Sequence, residues 1–181
     1  MARSRSGHSP SLVLTRAAAA GLAGLGMVTA AAGLRADDVI GTPGDGGIIT
    51  VRPSNSIVSR QRLGQFVGIS GANSGAKGLS LNRVVIPPGG SAAAHRHLGS
   101  ESAIYLVQGT VRTRYGERLE HAVVNRAGDF LFIPAGVPHQ PTNLSSSEAA
   151  VAIVARNDPD EQEHVELIDA VTPAAPSAPS P

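Results

Sequence analysis

Short apolar runs, each closed by glycine or proline, recur through the middle of this chain and constrain its fold more than any other feature. Turn signals stand at Pro87-Pro88-Gly89-Gly90, Gln108-Gly109, Tyr115-Gly116-Glu117 and Ala127-Gly128-Asp129. With 21 glycines and 13 prolines the chain is interrupted too often for long helices. Strands are expected over residues 48–52, 65–69, 79–86, 92–97, 103–107, 110–115, 120–124, 129–133, 140–143 and 149–155. Residues 161–169 add either a final strand or a helical turn. Evenly spaced short strands of this kind make an all-β sandwich or barrel. Aromatic residues are only 3%, so Val, Ile, Leu and Ala must fill its core.

The ends read differently. Arg3, Arg5 and Arg16 precede an uncharged run rich in Ala, Gly and Leu from Ala17 to Leu34, and small residues follow at Ala30–Ala32 and at Ala36. Residues 1–36 have the form of a signal peptide, or else of a disordered or weakly helical leader. The run is too rich in alanine and glycine for stable membrane insertion. A secreted or periplasmic location is expected from the first reading and a cytoplasmic one from the second. Residues 37–160 form the expected domain. Residues 161–181 are a C-terminal segment whose Pro/Ala/Ser tail lacks the apolar surface to offset the entropy of ordering.

Charge and cysteine usage narrow the chemistry. Fifteen basic and fourteen acidic side chains leave a net charge of +1, and no basic stripe carries interleaved aromatics, so nucleic acid is not an expected partner. There is no cysteine, which excludes disulfides, thiolate metal sites and cysteine nucleophiles. A metal site must therefore use His, Asp or Glu.

His95-Arg96-His97 supplies two such ligands. Residues two apart on a strand face the same side, so both imidazoles can meet one ion. Alone, the pair is also what a solvated strand end looks like. Glu101 lies four positions later, where a turn can return its carboxylate toward the rings. After a further hairpin, a strand and a Pro134-Ala135-Gly136 turn lead to His139. Three nitrogens and one oxygen from two places in the chain suit a first-row divalent ion.

These two stretches resemble the paired motifs of the cupin superfamily. Gly89, His95, His97, Glu101 and Gly109 follow the first, Gly-x5-His-x-His-x3or4-Glu with a later glycine. Gly128, Pro134, Gly136, His139 and Asn143 follow the second, Gly-x5-Pro-x-Gly-x2-His-x3-Asn, at every fixed position. The resemblance covers about residues 45–157. It implies a double-stranded β-helix, the jelly-roll barrel, with one divalent metal (Mn, Fe, Zn, Ni, Co or Cu) held by His95, His97, Glu101 and His139, and it implies homodimers. One departure stands out: Ser102 occupies the usual glutamate position. A one-residue shift on a regular strand turns a side chain to the opposite face, so Glu101 needs a bulge to reach the metal.

Tyr105 shares strand parity with Glu101 and is the candidate catalytic proton donor if that face lines the pocket; otherwise it is amphipathic packing. Arg112, Arg114 and Arg118 read as a solvated face. Phe66, Phe130 and Phe132 read as core or dimer interface, and Asn143 as a turn cap. The expected function is a small metal-dependent enzyme acting on a small oxygenated or sugar-like substrate as dioxygenase, decarboxylase or isomerase. The alternative is a non-catalytic module that senses or stores a small molecule.

Overall fold

The computed structural model describes residues 38–160, 162 and 164–169. The leader through residue 36 and the Pro/Ala/Ser tail lie outside the described residues. In chain order the elements are β1 (Asp38–Ile40), β2 (Thr50–Arg52), β3 (Ile57–Val58), β4 (Gly64–Ile69), α1 (Gly71–Ser74), β5 (Ser80–Ile86), β6 (His95–His97) and β7 (Ser102–Gln108). There follow β8 (Thr110–Tyr115), β9 (His121–Arg126), β10 (Phe130–Ile133), β11 (His139–Asn143), β12 (Ala150–Arg156) and β13 (Val165–Leu167).

Every ladder is antiparallel. One sheet runs β10-β7-β12-β5-β4-β3 and another β13-β6-β11-β8-β9, while β1 and β2 pair separately. This is the expected jelly roll, a double-stranded β-helix.

The pleat decides what each strand buries. Along β5, Ser80, Asn82, Val84 and Ile86 are buried, while Leu81 and Arg83 between them are exposed. The interior is therefore graded. Leu63, Val84, Ile86, Leu106, Val111 and Val154 pack into one apolar cluster. At the other end of the same strands Ser80, Arg156 and Ser102 meet in one register row, since Arg156 on β12 pairs with Ser80 on β5 and with Ser102 on β7. All three are buried.

Two turns hold the two sequence motifs together. Gly136 takes φ +74°, a conformation that costs a side chain, and its N–H donates to His97 O at 2.9 Å. Asn143 is 2% exposed; its Nδ2 donates to the carbonyls of Ile86, Pro87 and Glu148, and its Oδ1 accepts from Ser145 N–H. The side chain thus closes the turn after β11 and ties it to the end of β5.

Four elements differ from expectation, β1 and β3 among them because no strand was expected at either place. The segment from Ala92 is strand only from His95 onward, with an isolated bridge between Ser91 and Thr142. Residues 71–74 form one helical turn with a capping box: Ser70 Oγ accepts from Asn73 N–H, and Asn73 Oδ1 accepts from Ser70 N–H. Of the two alternatives expected for residues 161–169 the strand is the one realised, as β13 paired with β6.

Candidate metal centre

His95 and His97 are both buried on β6, and Arg96 between them points outward to Glu166 of β13 at 2.7 Å. His139 opens β11 and pairs directly with His95 across the ladder. The three ring centroids lie 4.2, 5.1 and 5.6 Å apart. One nitrogen from each ring can be chosen so that all lie within 4.8 Å of one another. Three nitrogens bound to one ion at about 2.1 Å stand roughly 3.0–3.6 Å apart, so side-chain adjustment of up to about 1–2 Å brings the set to coordination distance.

The hydrogen bonding suits a metal. His95 Nδ1 lies 2.8 Å from Ala93 O, and His139 Nδ1 lies 2.9 Å from Val137 O. A carbonyl only accepts, so each Nδ1 carries the proton and each Nε2 keeps its lone pair. Both nitrogens of His97 are buried with no hydrogen-bond partner. A buried imidazole without partners is costly unless something else satisfies it.

Electrostatics keep the rings neutral. Burial, then the charge of His139, pushes His95 down to about 3. Burial, then Arg156, pushes His97 down to about 2, and burial is also the main cause that takes His139 down to about 4. Arg156 lowers all three. Near neutral pH the site therefore presents lone pairs rather than protons.

Glu101 does not join the histidines. Its side chain is exposed, and it lies outside the cluster. The bulge that would turn it inward is missing: β7 begins at Ser102 and pairs with β10 in unbroken register from Ser102↔Ile133 to Tyr105↔Phe130. Alternation therefore buries Ser102, at 1% exposure, and sends Glu101 out. Tyr105 follows the same parity. It is 39% exposed, and its ring packs on Phe130 at 4.8 Å on the outer face, away from the histidines' side of the strand. Phe130 and Phe132 are likewise on the surface, at 81% and 59% exposure, and so are not core. Phe66 is half-buried with Arg83 stacked over its ring.

Arg156 is the residue that motif reading missed. A cavity of about 80 Å³ between the sheets is lined by His95, His139, Arg156 and Asp129 together with the apolar cluster. The available signal was parity: Arg156 stands two positions beyond Val154 on the same strand and so shares its inward face.

Residues 82–155 match the family model described as Cupin domain. Germin-like protein 8-14 of Oryza sativa subsp. japonica is 34% identical over 100 residues, covering 54% of this chain and 44% of that protein. The chain spans less than half the length of the curated germin-like relatives it matches. Oxalate decarboxylase of Lactobacillus farciminis, solved as a formate complex, has the same fold: TM-score 0.53, 22% identity, covering 65% of this chain and 33% of that one. Oxalate decarboxylase of Bacillus subtilis, in a structure described for its Mn(II) centres, gives a TM-score of 0.50 at 21% identity and covers 59% of this chain and 28% of that one.

Proposed function

We propose that this chain, which belongs to the cupin superfamily, holds one divalent transition metal through His95, His97 and His139 and works as a small metal-dependent enzyme on a small oxygenated substrate. The convergence of three buried, neutral imidazoles from two distant strands carries this reading. Bound there, the ion supplies Lewis-acid polarisation of a chelating oxygen, or oxygen activation where it is iron or copper. The protein's own part is orientation and exclusion. The Ala93 and Val137 carbonyls fix two rings by their Nδ1 protons, the apolar cluster keeps bulk water from the cavity, and Arg156 fixes a positive charge beside it. Dioxygenation, decarboxylation and isomerisation all remain compatible with such a site, because fold does not choose chemistry.

A second reading, a binding module without turnover, gains support from Tyr105 facing outward and from the mostly apolar cavity wall. Open metal positions with turnover favour the enzyme, and saturable binding without turnover favours the module. Two further proposals stand beside these. The outer face formed by Tyr105, Val107, Phe130 and Phe132 across β7 and β10 seats a second copy of the chain in a homodimer. The leader of residues 1–36 directs export, with a cytoplasmic protein as the alternative; no helix among the described residues is long and apolar enough to cross a membrane.

Elemental analysis of protein purified without chelators tests the centre. One transition metal per chain is expected, lost in both His95→Ala and His139→Ala, because a three-ligand site keeps little affinity after losing one. A metal-free native protein would sink the reading.

A further inference from the structure

On one side of this barrel the two sheets end without joining. β9 is the last strand of one sheet and β10 the last strand of the other. Among the described residues β9 pairs only with β8, and β10 only with β7. Both strands leave one turn, and that turn is firmly held. Asp129 Oδ2 accepts from Arg126 N–H at 2.7 Å, and Asp129 N–H donates to Arg126 O. Ala127 and Gly128 donate their N–H groups to Gly109 O and Leu106 O. From this fixed end the strands diverge into different sheets, leaving a seam whose facing backbone edges carry no ladder.

Exposure along β9 follows from that gap. Residues directly paired across a ladder share one face of the sheet, so Val123 and Asn125 point the same way as Thr113 and Val111. Thr113 and Val111 face the interior and are buried. Val123 on that same inner face is nevertheless 36% exposed, and no residue of β9 is buried. Nothing in the opposite sheet covers it. On the other bank, β10 turns Leu131 and Ile133 inward while Phe130 and Phe132 point out.

The cavity beside the histidines reaches this seam. Asn125 from β9 and Asp129, Leu131 and Ile133 at β10 line it together with His95 and His139. No residue of β3, β4 or β13, which lie at the other sheet edges, lines it. Asn125 Oδ1 is buried without a hydrogen-bond partner. Buried oxygens are normally satisfied, so this one is placed to meet a polar guest between the strands.

We infer that the β9–β10 seam is the route by which the metal ion and small ligands reach this centre, with Asn125 and Leu131 as its two lips. This rests on the metal reading above and adds where the centre meets solvent. A molecule cannot cross a hydrogen-bonded ladder without breaking it, and β6 and β11, which carry the histidines, have a partner strand on each side. At the seam only side chains stand in the way, and exposed side chains change rotamer on timescales up to nanoseconds.

The chain has no cysteine, so one introduced thiol takes a label at a single place. Asn125→Cys and Val123→Cys put the thiol at the seam. Val58→Cys is the control, 80% exposed on β3 at the far edge of the sheet that β10 ends. Cobalt(II) uptake by chelator-treated full-length protein, followed by visible absorbance, reads both the loading rate and the final stoichiometry. Each variant is compared with and without a bulky maleimide on its thiol. The label on Asn125→Cys or Val123→Cys is expected to slow loading at least tenfold and leave the final stoichiometry at one ion per chain. On Val58→Cys it is expected to leave the rate unchanged. Seam-labelled protein that loads as fast as its unlabelled form overturns the proposal, and so does equal slowing by the label at all three places. A wild type that takes up no cobalt sinks the metal reading, whereas a wild type that loads while seam labels do nothing sinks this one alone.

Discussion

Acidification should destabilise the metal-free protein steeply, within a pH window set by the three buried imidazoles. In the unfolded chain each ring takes its proton near the ordinary value of 6.5; in the fold it waits until about 4 for His139, 3 for His95 and 2 for His97. Between those values the unfolded chain binds more protons than the native one, so stability is held above pH 6.5 and lost as pH falls. Going from pH 7 to pH 5.5 costs about 1.2 kcal/mol per ring, or about 4 kcal/mol for the three. That is a large part of the 5–15 kcal/mol by which domains of this kind are typically stable, to within about a factor of two. Carboxylates with ordinary values near 4 stay ionised throughout this range. Urea unfolding of chelator-treated protein, followed by circular dichroism, should show the midpoint falling by roughly 2 M over that step for a slope of about 2 kcal/mol/M. His97→Gln removes one titrating ring and should flatten the dependence by about a third. A midpoint that does not move between pH 7 and 5.5 would refute the claim that the rings are buried and neutral together.

Glu101→Ala should leave metal stoichiometry at the wild-type value, because the side chain is exposed outside the cluster; elemental analysis showing loss of metal would contradict that placement. Asn143→Ala strands three carbonyls and one N–H around a side chain that is 2% exposed. The expected cost of about 2–4 kcal/mol lowers Tm by roughly 5–15 °C in a melting experiment. Combining Phe130→Ser with Phe132→Ser should convert the proposed dimer to monomer by light scattering without altering metal content, and an unchanged mass would remove that face as the interface.

The strands that were legible in the sequence are those with both an apolar alternation and a glycine or proline stop, such as β5, β8 and β12. Two short strands, β1 and β3, carry too few residues for a period to register, and α1 is set by a cap, Ser70 with Asn73, rather than by an apolar stripe. The three histidines were legible because their spacing fixes their faces: His95 and His97 share one side of β6, and Gly136 delivers His139 beside them. Glu101 and Tyr105 were placed by assuming a bulge. Whether a strand contains a bulge depends on its partner's register, here that of β10, which no local pattern encodes. Arg156 was missed for the opposite reason. Its parity was readable, but an inward arginine at a strand end becomes informative only when Ser80 and Ser102 are seen beside it.

The connection between β6 and β7 has an evolutionary consequence. It is a loop in which Gly99 takes φ +75°, and a side-chain-sized group added there would meet nothing within 4 Å. A longer loop there leaves Glu101 outside, because β7 keeps its register from Ser102 onward; only a glutamate at position 102 itself enters the buried side. A lineage of such barrels could thus pass between an all-nitrogen ligand set and a mixed nitrogen–oxygen one by substitution at that one position, without rebuilding the architecture.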